Sequence, residues 1–176
     1  AALDVGGGAG WLLTTLQALD PRVQDTHVVD LDPAAGDKAR ALGHTYHHGR
    51  VEDFEPPVAF DLIMLLNLIE HVEDPRAVLR KLRSCLAPGG LVLVKTPNAD
   101  ALDARVFRHG NWGGLHCPRH WVLFDLPGFT AAAQACGLKV VEGRYTQGAP
   151  FWAVSVLAWL HGRGLVSLSA ERPAVY

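Results

Sequence analysis

Two rhythms of apolar residues run along the chain. Short, nearly continuous runs at Leu3 to Val5, His27 to Asp30, Phe60 to Leu66 and Leu91 to Lys95 read as buried strands. Between them, apolar residues recur at helical spacing. Leu12, Leu13, Leu16 and Leu19 do so before Asp20-Pro21, and Val78, Leu79, Leu82, Cys85 and Leu86 do so behind the Asp74-Pro75 cap. Asp32-Pro33 opens a further helix through Leu42 that Gly43 closes, and 44–49 reads as a third, weakly alternating strand. Asp125 through Cys136 predicts a helix ended by Gly137, with Leu138 to Glu142 as the strand after it. Phe151 to Leu160 does not alternate and reads as a helix in preference to a seventh, antiparallel strand. Strand and helix take turns, which predicts an α/β fold: a mostly parallel sheet with helices on both faces. The interval 98–123 exceeds the ~12 to 15 residues of an ordinary connection, so it reads as a lid, with a short helix over 99–108. One domain is expected over 1–146, with 147–176 as an extension of it.

Composition narrows the class without choosing within it. With 176 residues, 49% hydrophobic and 19% charged, the chain suits one globular domain with a substantial core. A net charge of -2 gives no broad basic field, so a nucleic-acid partner is not expected. Cys85, Cys117 and Cys136 are odd in number and widely spaced, which fits a reducing cytoplasm rather than a disulfide framework. No apolar run reaches the ~18 to 20 residues of a membrane span.

Chemistry concentrates first at Asp4-Val5-Gly6-Gly7-Gly8-Ala9-Gly10. A strand that turns through glycines into a helix is a nucleotide-binding arrangement. Gly6 permits the turn, Gly8 leaves no Cβ to hold a ligand off, and the amides of Gly10 and Trp11 are expected to point toward it. The dinucleotide pattern G-x-G-x-x-G would need its third glycine at position 11, where Trp11 stands, and Asp4 would repel a pyrophosphate. Asp4 favours a cationic ligand instead, and S-adenosylmethionine carries an ammonium and a sulfonium. Asp30 closes the second strand twenty residues beyond Gly10, close to the ~20 at which a carboxylate meets ribose hydroxyls, and Leu31 beside it joins the expected lining. Asp32 reads as a helix cap.

The Asp-x-Gly-x-Gly-x-Gly stretch resembles the first motif of class I S-adenosylmethionine-dependent methyltransferases, and the likeness continues in order to about residue 142. Within them it is closest to the ubiquinone-biosynthesis type and related bacterial small-molecule enzymes. The resemblance implies a Rossmann-like doubly wound sheet, cofactor contacts from Asp4, Gly6, Gly8, Gly10, Asp30 and Asn67, and the loss of a helical N-terminal segment. It also places the adenine edge at 49–54. There the usual aspartate is replaced by Arg50, which leaves the Val51 amide and Glu52 as the candidates. Asn67-Leu68-Ile69-Glu70-His71 resembles the family's glutamate-histidine motif, and Thr96-Pro97-Asn98 the close of its fifth strand.

Specificity is expected in the lid, whose tip runs Asn111-Trp112-Gly113-Gly114-Leu115-His116-Cys117-Pro118-Arg119-His120-Trp121. A metal is not expected: His116, Cys117 and His120 lack an obvious fourth ligand and a standard spacing, and His47 and His48 face opposite ways on their strand. If the acceptor is a hydroxyl, a base is needed, and the candidates are His120, His71 and His116 in that order, with Trp112 and Arg119 shaping the pocket. Anchoring the lid competes with that role for Arg119 and His120, as fixing the turn does for His71. The expected function is methyl transfer from S-adenosylmethionine, leaving S-adenosylhomocysteine, to a small-molecule, sugar or lipid-precursor acceptor. A non-catalytic S-adenosylmethionine-binding protein and an NAD(P)-dependent oxidoreductase are the alternatives, and the oligomeric state is open.

Overall fold

The structure is a computed structural model and describes residues 1–146 and 148–167. Five strands, β1 (Ala2–Val5), β2 (Thr26–Asp30), β3 (Thr45–His48), β4 (Phe60–Leu66) and β5 (Leu86–Lys95), form one sheet in the order β3-β2-β1-β4-β5. Every pairing is parallel, and β1 lies in register between Thr26–Val29 of β2 and Leu62–Leu65 of β4. The helices are α1 (Trp11–Leu19), α2 (Pro33–Ala41), α3 (Pro75–Cys85), α4 (Leu102–Val106), α5 (Leu126–Ala135) and α6 (Ala149–Gly162). No helix of the described residues is long and apolar enough to cross a membrane.

Strand alternation sorts the core into two layers. Leu3, Val5, Ile63 and Leu65 join Val78, Leu79, Leu82 and Cys85 of α3 on one face. Ala2, Val28 and Met64 join Leu13 of α1 and Ala35 and Ala39 of α2 on the other. The aspartate caps behave as their chemistry requires: the Asp32, Asp74 and Asp125 carboxylates each accept a first-turn amide, with proline at the first helical position behind Asp32 and Asp74 and at the second behind Asp125, where no intrahelical amide is needed.

Four expectations need correction. The 138–142 segment carries no strand. Gly137 turns left-handed, the Leu138 amide is spent on the Ala133 carbonyl at the end of α5, and the side chain of Leu138 docks on the core. β5 begins at Leu86, which was expected in the preceding helix, and its pairing to β4 shifts register across the glycines, from Phe60 opposite Leu86 to Leu62 opposite Leu91. It is half-exposed rather than buried on both faces: Leu91 is 57% and Leu93 51% exposed. It is the end strand among the described residues, with helices against one face only. Leu19 lies in solvent at the last turn of α1 instead of in the core. The helix reading of 151–160 is what the fold contains, as α6. The remainder of the expected extension, 168–176, lies outside the described residues.

Candidate functional site

Strand order reverses between β1 and β4, and open parallel sheets bind ligands at the carboxyl ends of strands at such a switch point. The sequence sends the glycine turn, Asp30 and Asn67 to that edge. Asp30 accepts the Gly8 amide on one carboxylate oxygen at 2.8 Å and the Asp32 amide on the other at 2.9 Å, so it ties the turn after β1 to the start of α2. A Cβ built at Gly8 would meet nothing within 4 Å, which leaves the turn open on the side a ligand would approach. Asp4 is 4% exposed. Burial first, and then the neighbouring Asp30 charge, push its carboxyl up to about 6. A buried carboxylate with a second carboxylate nearby is suited to receive a cation.

Gly10 has a different job from the one expected. Its amide bonds the Gly7 carbonyl at 2.9 Å and so does not point toward a ligand. The residue sits left-handed at the N-cap of α1, where a Cβ would lie 2.4 Å from the His44 ring. His44 is buried and bridges Thr14 and Thr26 at 2.9 Å each, and burial holds its pKa below the ordinary value. No local pattern in the sequence announces this support, because its partners lie 18 and 30 residues away.

The adenine-edge candidates are divided. Val51 is buried in the core, in a 3-10 turn over Val51–Asp53, while Glu52 is partly exposed and paired with Arg50 at 3.3 Å. Leu31 is 66% exposed beside Asp30. His47 and His48 divide between faces as alternation requires: His47 stacks on His27, which pairs with Asp25, and His48 reaches the Leu31 carbonyl.

Beyond β4, Asn67 takes a left-handed φ of 52°, with its amide on the Lys95 carbonyl. Leu68 then packs over Gly6, 3.2 Å from where a Cβ there would lie, which sets the glutamate-histidine turn directly against the glycine turn. Glu70 is buried and accepts the Thr96 hydroxyl at 3.0 Å. The Glu70 carbonyl accepts the Trp121 amide at 2.8 Å, and the His71 Nδ1 donates to the Arg119 carbonyl at 2.9 Å, so this turn docks the 98–123 segment expected to form a lid.

Docking brings together the three histidines named from the sequence. His71 and His120 have ring centroids 4.7 Å apart, His116 and His120 5.0 Å, and His71 and His116 6.4 Å. His120 Nδ1 lies 2.7 Å from the Gly114 carbonyl, which can only accept, so Nδ1 carries a proton and the neutral ring has its lone pair on Nε2. His71 has the same tautomer for the same reason. His116 is left-handed, at φ 38°, and its pKa is lowered by burial first and then by its neighbours His120, Arg119 and His71. Ligand atoms of Glu70, His71 and His120 lie within 4.8 Å of one another, a grouping distinct from the His116, Cys117 and His120 set weighed from spacing. Trp112 does not line a pocket: it is buried, with its indole N–H on Asp103 and its ring against Phe151. His44 and Asp103 are structural members that were not anticipated, whereas Glu70 and Thr96, expected near the ligand edge, bond each other there.

An open parallel sheet with a glycine turn, a strand-end carboxylate and a docked lid at its switch point defines a nucleotide-binding α/β protein. Residues 2–143 match the family model described as a methyltransferase domain, and the chain belongs to that family. Over 104 residues it is 34% identical to the ubiquinone biosynthesis O-methyltransferase of Bradyrhizobium sp. (strain ORS 278), covering 54% of this chain and 39% of that protein. It is 35% identical over 104 residues to the enzyme of the same name from Xanthomonas campestris pv. campestris (strain B100), covering 54% of this chain and 42% of that one. The alignments thus span about two fifths of these relatives' length. Among solved structures, YcgJ of Bacillus subtilis superposes with a TM-score of 0.67 at 21% identity, over 90% of this chain and 70% of that one. A chain in complex with the Haloferax volcanii Trm112 methyltransferase activator gives 0.66 at 18% identity, over 80% and 62%. Both likenesses are of fold.

Proposed function

We propose that the chain binds S-adenosylmethionine at the β1 and β2 ends and takes part in methyl transfer to an oxygen of a small-molecule, sugar or lipid-precursor acceptor held under the lid. The observation that carries this is the coupling of Asp4, the open turn at Gly8 and Asp30 at the switch point of a methyltransferase-domain sheet. The oxygen acceptor is supported by the relatives at 34% and 35% identity, both named O-methyltransferases.

When bound, S-adenosylmethionine supplies the methyl group from a sulfonium whose leaving thioether is neutral, so positioning does most of the work. Asp4 offers its carboxylate to the ammonium end, and in doing so relieves the cost of its own burial. Asp30 offers acceptors to the ribose hydroxyls, while Val51, Glu52 and Leu31 border the adenine and Asn67 lines the floor. The acceptor hydroxyl loses its proton to the histidine cluster, first to His120 through Nε2, with His71 and His116 beside it.

Calorimetric titration with S-adenosylmethionine and S-adenosylhomocysteine tests the cofactor half. Saturable binding that Asp30→Ala weakens by more than about tenfold, or ~1.4 kcal/mol, is expected. Wild-type protein that binds neither would refute it. Binding with no turnover across a broad acceptor panel would point instead to a non-catalytic S-adenosylmethionine-binding protein.

A further inference from the structure

Helix α6 is apolar from end to end, with Phe, Trp, Val and Leu around its circumference, yet the one position it buries completely carries a hydroxyl, Ser155, at 0% exposure. A buried hydroxyl in such a setting is costly unless it is bonded. Ser155 Oγ is bonded twice. It donates to the Phe151 carbonyl one turn back at 2.6 Å and accepts the buried Gly113 amide at 2.8 Å, 42 residues away in the lid. Gly113 opens the 3-10 turn over Gly113–Leu115, and a Cβ there would lie 2.8 Å from the Phe151 carbonyl and 2.9 Å from the Val154 Cβ. The turn therefore sits against the helix backbone at a distance only glycine allows.

The next carbonyl in that turn is Gly114, the acceptor for His120 Nδ1. We propose that Ser155 is a positioning residue: by holding the Gly113 amide, it aims the Gly114 carbonyl that locks His120 with its proton on Nδ1 and its lone pair on Nε2. Helix α6 thus sets the ring of a histidine that it does not touch through its own hydroxyl. The significance of this rests on the proposed role of His120 as base, but the ring's state can be read without turnover.

Long-range nitrogen–proton correlation spectra of the imidazoles, recorded on the wild type, Ser155→Ala and Ser155→Thr, test it. In the wild type the two His120 nitrogens should be well separated, as for a single tautomer. In Ser155→Ala they should converge toward the average of two tautomers in exchange. Ser155→Thr, which keeps the hydroxyl, should restore the separation, and His27, held by Asp25 at the other end of the sheet, should not move. A folded Ser155→Ala protein with unchanged His120 nitrogens would overturn the proposal. If Ser155→Ala fails the circular-dichroism check, Gly113→Ala replaces it: it forces the turn off α6 while Ser155 stays, and must produce the same convergence, or the proposal fails. In an assay with an accepted substrate, Ser155→Ala should lower kcat at least tenfold while changing the S-adenosylmethionine Kd less than twofold. If His120→Ala leaves turnover intact, it is the base role that fails, and the spectra still decide the positioning.

Discussion

Asp4 gives the protein an unusual pH response. Its carboxyl is raised to about 6 in the fold against ~3.9 in an unfolded chain, so between those values the native state holds the proton more tightly. Stability from this group is therefore intact below about pH 4 and falls as pH rises through about 6, by at most about 3 kcal/mol. Asp4→Asn should remove that fall, seen as a Tm higher than wild type above pH 6 and equal to it near pH 4. The same substitution should cost binding. The ionised carboxylate is what an ammonium seeks, so affinity for S-adenosylhomocysteine should rise with pH to about 6 and level off. In Asp4→Asn calorimetry should find the curve flat and at least ~tenfold weaker. His120→Ala should separate the two halves of the site: turnover should fall by ~100-fold or more and S-adenosylmethionine affinity stay near wild type. A matching loss of affinity would remove His120 from the base role.

At the level of elements, Gly10 joins α1 to its neighbours. Gly10→Ala must hold a left-handed backbone, worth ~1 to 2 kcal/mol, and also push the His44 ring off Thr14 and Thr26. The urea midpoint should drop by more than that strain alone predicts, with an unchanged m-value. The elements that could be read from sequence are those with a local cause: Asp-Pro caps starting α2 and α3, and apolar runs forming β1, β2 and β4. Those misread lacked one. The 138–142 segment has strand composition, but its first residue was committed to ending α5. Leu91 and Leu93 look buried in any short window, and whether a second layer covers them is a property of the sheet. Leu19 keeps the helical spacing but falls on the last, solvent-facing turn of α1.

Across the whole molecule, the site divides the same way. Its strand-end side was legible because the switch-point geometry puts strand ends together whatever the intervening sequence, so Asp4, Gly8, Asp30 and Asn67 could be placed at one edge from position. The meeting of His71, His116 and His120 follows from the lid folding back on the glutamate-histidine turn, and only their residue types hinted at it. Hydrogen exchange should reflect this build, slowest in β1 and β4, faster over 98–123, and slowed at 6–10 by S-adenosylhomocysteine. The lid's fastening has one more consequence. Main-chain bonds hold it, from the Trp121 amide to the Glu70 carbonyl and from His71 to the Arg119 carbonyl, while the side chains of Leu115, Arg119 and Trp121 project outward. Those three positions are therefore free to change identity without unfastening the loop. For an engineer, they form an interchangeable faceplate on an unaltered chassis.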